Sequence, residues 1–180
     1  MFLPAVEERL RDMDPRRGRR DAAESIEGAA QVFKLSPSAS DVLRNELAWA
    51  SFTLIRFTNA SAVVVADQGE TLMCRGSLGA KDVQGVRESQ MLENVSKAMQ
   101  GIAARATQTD QVLSCEDRGD IDRAGFGASS LVPRGMRSLL LVPVGETGQM
   151  LLMSEQERAF SQKERRWIES VAEKLGANLS

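Results

Sequence analysis

The sequence predicts an α+β domain, an antiparallel sheet flanked by helices towards its N- and C-terminal ends. Two strand pairs, each folded about a glycine-containing turn, call for antiparallel pairing. Long segments of helical periodicity precede, separate and follow those pairs, and they must cover the apolar faces of the sheet. The resulting order is helix, hairpin, helix, strand, long loop, hairpin, helix.

"PAVEERLRDM" reads as a short helix, stopped by "DPRRGRRD" with its proline, its glycine and Arg16, Arg17, Arg19 and Arg20. By composition the octet is a solvated linker. The alternative is a basic cluster beside a membrane, where each charge contributes ~1 kcal/mol near anionic lipid. This divides the chain into a juxtamembrane helix and basic linker, residues 1–21, and a folded domain, residues 22–180. "AAESIEGAAQVFKL" reads as a weak helix with an extended end, "QVFKL". "SPSAS" punctuates, and Ser40 is placed to cap the next helix.

From Asp41 to Phe57 the apolar spacing is helical. Leu43, Leu47, Ala50, Leu54 and Phe57 form one stripe, while Ala48, Trp49, Phe52 and Ile55 gather on the opposite side. A single core uses one side only. The other is either an interface with another chain or the seat of a third layer of this one. Thr58 and Asn59 end the helix, and "SAVVVADQGETLMCRGS" forms a hairpin about Gln68-Gly69. Residues 86–104 are helical, with Met91, Val95, Ala98, Met99 and Ile102 on one side, and "DQVLSCE" is a short strand. "DRGDIDRAGFGASSLVPRGM" reads as a long, polar, glycine-rich loop of the functional or mobile kind. A second hairpin, "RSLLLVPVGETGQMLLMSE", turns at residues 145–148. The last helix runs from Ser161 to Asn178, with Ser161 as cap, Glu164 at the capping-box position, Phe160 as staple and Trp167, Ile168, Val171 and Leu175 inward.

Composition excludes several function classes. At 180 residues and 42% hydrophobic content the chain supports one core, and its net charge of -2 gives no reason to expect nucleic acid as a partner. Two cysteines do not make a disulfide framework. Runs such as "AVVVA" and "LLLVPV" are far shorter than the ~20 residues of a membrane helix. Histidine and tyrosine are absent altogether, which removes the commonest general base, the commonest metal ligand and two usual haem ligands. "GSLGAKDVQG" lacks the Gly-Lys-Ser/Thr ending of a phosphate loop, and no glutamate completes a calcium loop after Asp117, Asp120 and Asp122. No catalytic or metal site is expected. Cys74 and Cys115 read as core thiols, with a redox or thiolate–haem role as the alternative, raised by Arg75 beside Cys74. Met150 and Met153 lie an odd number of residues apart in a strand and face opposite sides.

The element order resembles the GAF/PAS group of α+β domains, and "LLVPV", "GQMLLMSE" and "FSQKERRWIESVAEKL" look like the closing strand–strand–helix of a GAF domain. Such domains usually dimerise through their first and last helices, which implies an interface role for Trp49, Phe52 and Ile55.

Three segments carry a narrower resemblance: "ELAWASFTLIRFTNASAVVVADQGETLMCRG", "LVPRGMRSLLLVPV" and "FSQKERRWIESVAEKL". They are similar to the family of proteins for cofactor assembly of complex C, found in chloroplasts and cyanobacteria. The match includes Glu46 to Ala50, Thr53, Arg56, Thr58, Asn59, Gly69-Glu70, Arg75-Gly76, Pro133, Gly135, Arg137 to Leu139, Pro143, Trp167-Ile168 and Ala172 to Lys174. The resemblance implies an assembly factor needed for covalent attachment of the c-type haem to cytochrome b6 of the cytochrome b6f complex. It implies a domain on the stromal side of the chloroplast thylakoid membrane, tied to it by an N-terminal hairpin not present in this sequence, with Arg16, Arg17, Arg19 and Arg20 beside the membrane. The implied partners are apocytochrome b6 and the paralogous factor, with a second copy standing in when the domain is isolated. No cofactor is expected to bind tightly, haem passing in transit at most. A GAF-like small-molecule sensor and a haem lyase are the competing readings.

Overall fold

The computed structural model describes residues 26–106 and 111–179. The first helix and the four arginines expected before residue 21 lie outside them.

Six strands form one sheet in the order β1-β3-β2-β6-β5-β4, every neighbouring pair antiparallel. They are β1 (Ala29–Leu35), β2 (Ala62–Asp67), β3 (Glu70–Gly79), β4 (Leu113–Cys115), β5 (Ser138–Val144) and β6 (Gly148–Ser154). The helices are α1 (Asp41–Phe57), α2 (Ala80–Val83), α3 (Glu88–Ala106), α4 (Arg118–Arg123) and α5 (Gln162–Gly176), with a 3-10 turn at Phe126–Ala128. The expected α+β class with an antiparallel sheet is observed.

Both hairpins are where the sequence puts them. At the β2–β3 turn Gln68 and Gly69 have φ of 49° and 83°, the pair of positive values that follows the right-handed twist of two strands. Alternation then sorts each strand between two cores. Val63 and Val65 of β2, Met73 of β3, Leu140 and Val142 of β5, and Met150 and Leu152 of β6 meet α1 and α5 on one face. Val64, Cys74, Leu139, Leu141, Leu151 and Met153 meet α3 and the segment after β4 on the other. Met150 and Met153 therefore do lie on opposite sides.

The helix ends follow local chemistry. The Ser40 hydroxyl accepts a hydrogen bond from the Leu43 N–H at 3.3 Å, and Ser161 and Glu164 form a complete capping box. On α1 the inward residues are Leu47, Ala50, Ser51, Thr53 and Leu54. Each fully buried leucine contributes roughly 1.5–3 kcal/mol.

Four expectations need correction. The segment read as a weak helix is a strand, β1, which turns out of Gly28 (φ 78°) and pairs with β3 from Ala29↔Gly79 to Leu35↔Met73. Tertiary pairing overrides its helical propensity. The "loop" after β4 is folded: Asp117 caps α4 by accepting from the Asp120 N–H at 2.9 Å, and Ile121, Phe126, Leu131, Val132 and Met136 are buried in the α3-side core. Arg118 ties this segment together by donating to the carbonyls of Pro133 and Met136 at 3.0 and 3.3 Å. Phe57, expected inward, is 55% exposed because the helix ends there. Trp167, also expected inward, sits at the rim of α5, while Ile168, Val171, Ala172 and Leu175 fill the core.

Candidate functional site

The outer side of α1 is not covered by any described part of the chain. Trp49 and Phe52 are 47% and 49% exposed, so the third-layer alternative fails for the described residues. Ile55, grouped with them from the sequence, is half-buried and packs against the α1–α5 core.

Two cations order this surface. Arg75 is in phase with Met73 on β3 and faces α1, and its cross-strand partner on β1 is Phe33. The guanidinium carbon lies 4.3 Å from the Phe33 ring centroid and 5.6 Å from that of Phe52. Nη1 donates to the Ser51 hydroxyl at 3.2 Å and to the Ala48 carbonyl at 3.4 Å. Burial holds the Arg75 pKa below the usual arginine value. On the neighbouring turn, the Lys174 ammonium lies 4.3 Å from the Trp49 ring centroid and 3.3 Å from the Glu46 carboxylate. Stacks of this kind contribute roughly 0.5–2 kcal/mol each and hold the rings in fixed orientations. Trp167 lies seven residues before Lys174 on α5, on the same helical face, which widens the surface.

The two cysteines lie elsewhere. Cys74 and Cys115 are free, buried, and part of the α3-side core. Burial pushes the Cys74 thiol up to about 12 and the Cys115 thiol up to about 11, the latter helped by Asp120, Asp117 and Glu116. Both are protonated near neutral pH, the poor nucleophile and poor ligand form of cysteine. To ligate an external haem iron they would have to open the core around them.

A second concavity, about 410 Å³, lies between α3 and the segment after α4, lined among others by Asp82, Asn94, Lys97, Arg105 and Ser130. Its charges are engaged within the chain. Asp82 accepts from the Ser130 hydroxyl at 2.7 Å, Lys97 pairs with Glu93 at 2.7 Å, and Arg105 donates to the Gly125 carbonyl. No group of three or more metal-ligating side chains occurs among the described residues.

Sequence reasoning singled out Trp49 and Phe52 but missed Phe33 and Arg75. The signal for Arg75 was present: a charge two residues after Met73 in an apolar strand falls on the buried face.

Comparison with known proteins agrees with the segments that first suggested a family. Residues 3–175 match the CCB2/CCB4 family, described as proteins for cofactor assembly of complex C. The chloroplastic protein CCB2 of Arabidopsis thaliana, itself described as a cofactor assembly protein of complex C, is 30% identical over 161 residues. That alignment covers 83% of this chain and 54% of the relative, so the chain spans about half the length of the curated protein it matches. Among solved structures, a type II free methionine-R-sulfoxide reductase from Thermoplasma acidophilum aligns with TM-score 0.49 at 15% identity, over 76% of this chain and 91% of that one. A photoproduct-state GAF domain from Synechocystis aligns with TM-score 0.49 at 14% identity, over 76% and 92%. The architecture rests on the chain's own strand order and not on these likenesses. No helix among the described residues is long and apolar enough to cross a membrane. The match over nearly the whole length shows that the chain belongs to the CCB2/CCB4 family of cofactor assembly factors for complex C, the cytochrome b6f complex.

Proposed function

We propose that the chain serves the covalent attachment of the c-type haem to cytochrome b6 by binding and positioning its partners, without a catalytic group of its own. The observation that carries this reading is the outer side of α1, where Trp49 and Phe52 stand half-exposed and braced by cations. Aromatic side chains held rigidly at a surface lose little entropy on docking and dominate the energy of interfaces. The partner on this face is the paralogous assembly factor, a second copy taking its place when the domain is alone. Apocytochrome b6 is the client of the resulting complex. The domain works at the stromal surface of the thylakoid, with Arg16, Arg17, Arg19 and Arg20 next to anionic lipid and an N-terminal hairpin as the membrane tie. Haem, where it meets this domain, is cargo and not a resident group.

Sedimentation of the full-length chain with the paralogous factor tests the reading. Wild type is expected to co-sediment, and the double variant Trp49→Ala/Phe52→Ala to sediment separately with its circular dichroism unchanged. Undiminished association of the double variant would overturn it.

A further inference from the structure

We infer that the partner chain docked on the α1 face supplies an aspartate or glutamate that forms a two-pronged ion pair with Arg75. The inference rests on the docking role proposed for this face and adds the chemistry by which the partner is recognised.

Arg75 is an unusual arginine for a surface. It projects from an interior strand, is partly buried, and is clamped between the Phe33 and Phe52 rings. Such a site takes water away from the guanidinium faces, and the desolvation is visible in its lowered pKa. A desolvated cation is normally matched with a carboxylate. Among the described residues Arg75 has none: its hydrogen bonds, to Ser51 and Ala48, both use Nη1. The edge formed by Nε and Nη2 makes no hydrogen bond to any described residue. That edge presents two parallel N–H donors, the geometry that takes a carboxylate in bidentate fashion. The rings fix the plane of the fork and Nη1 fixes its rotation, so the site is preorganised.

A second copy of the chain is the poorer occupant. A two-fold contact would set the surface against itself. Its cations, Arg75 and Lys174, would meet the same cations, and the nearby carboxylate, Glu46, is already committed to Lys174 at 3.3 Å. A different chain with an acidic side chain among apolar ones complements both the rings and the fork. Anionic lipid is also a weaker fit, because one recessed fork offers a lipid surface little of the multiple exposed charge on which such binding depends.

The test uses the full-length chain co-expressed with the paralogous factor. Arg75→Lys places an amine at the same site, and a carbodiimide joins an amine to a touching carboxylate with loss of one water. The expected product, mapped by mass spectrometry, is an isopeptide between position 75 and an Asp or Glu of the paralogue. In the matched titration, Arg75→Gln is expected to weaken association roughly 10–100-fold. Charge reversal at the mapped carboxylate, combined with Arg75→Glu, is expected to restore part of it. A link to a second copy, a link only within the chain, or no link while Arg75→Lys still associates would each overturn the inference. So would equal affinity of Arg75→Gln, or a loss seen only on vesicles containing anionic lipid and not with the paralogue. Trp49→Ala separates the two levels of the account. If it abolishes association while Arg75→Gln does not, the docking face stands and the carboxylate is wrong; if neither variant matters, the docking face itself is wrong.

Discussion

Truncating α1 on its two sides should give opposite signatures. Leu54 is fully buried against the sheet, so Leu54→Ala leaves a cavity and costs about 3–5 kcal/mol of folding stability. Trp49 is 47% exposed, so roughly half of the ~3–5 kcal/mol typical of a buried aromatic applies, about 1.5–2.5 kcal/mol including the stack with Lys174. Partner affinity should run the other way. Trp49→Ala is expected to cost at least ~2 kcal/mol of association, about 30-fold, because an exposed braced aromatic has the character of a hot spot. Leu54→Ala, measured on the folded fraction, should leave affinity close to wild type. Denaturant melts of the isolated domain supply the first pair of numbers, and titration of the paralogous factor against the full-length chain supplies the second. The reasoning fails if Trp49→Ala destabilises folding as much as Leu54→Ala while leaving association untouched. That result would make Trp49 an ordinary core residue.

The thiols give a pH signature. With folded values of about 12 for Cys74 and about 11 for Cys115 against an ordinary 9.0, the protonated thiols favour the native state. Their contribution is complete below about pH 9 and declines as pH climbs towards those values, so Cys74→Ala should flatten the alkaline limb of a stability–pH curve. At pH 8 neither native thiol should react with an alkylating reagent on the timescale of a free cysteine, whereas both should after unfolding. Gly76→Ala should prevent accumulation of folded protein: the residue has φ 99° and an added Cβ would lie 2.1 Å from the Ser61 carbonyl oxygen. Neither the strain nor the backbone clash can relax cheaply, and a loss above ~3 kcal/mol is expected in a thermal melt. Replacing Arg16, Arg17, Arg19 and Arg20 by glutamine should weaken binding to anionic vesicles at low salt without moving the melting temperature. Equal vesicle binding would mark the cluster as plain linker.

The parts of the fold that were legible in the sequence are those fixed locally. A Gln-Gly turn between β-branched and apolar strands, a Ser cap at 40 and a Ser-Glu capping box at 161 and 164 specify their elements from neighbouring residues alone. The elements that escaped depend on distant partners. β1 has little strand character of its own and exists because β3 offers a full edge. α4 is a one-cap polar helix held by contacts of Arg118 with a segment some fifteen residues away, and its loop is buried through Leu131 and Met136. The candidate site was half legible for the same reason. Helical spacing exposes Trp49 and Phe52 as a second apolar side, but Phe33 and Arg75 join them only through sheet register. Trp167 and Phe57 were assigned inward because apolar periodicity does not say how wide the covered stripe is, and here the sheet covers a narrow one.

Covalent haem on cytochrome b6, read as peroxidase staining of the denatured polypeptide, tests the central claim most directly. The cells compared carry only a variant of this chain at wild-type abundance. If the chain acts through its aromatic face and not through thiol chemistry, Cys74→Ala/Cys115→Ala should retain the stained band and Trp49→Ala/Phe52→Ala should lose it. A band lost with the cysteines and kept without the aromatics would contradict the account.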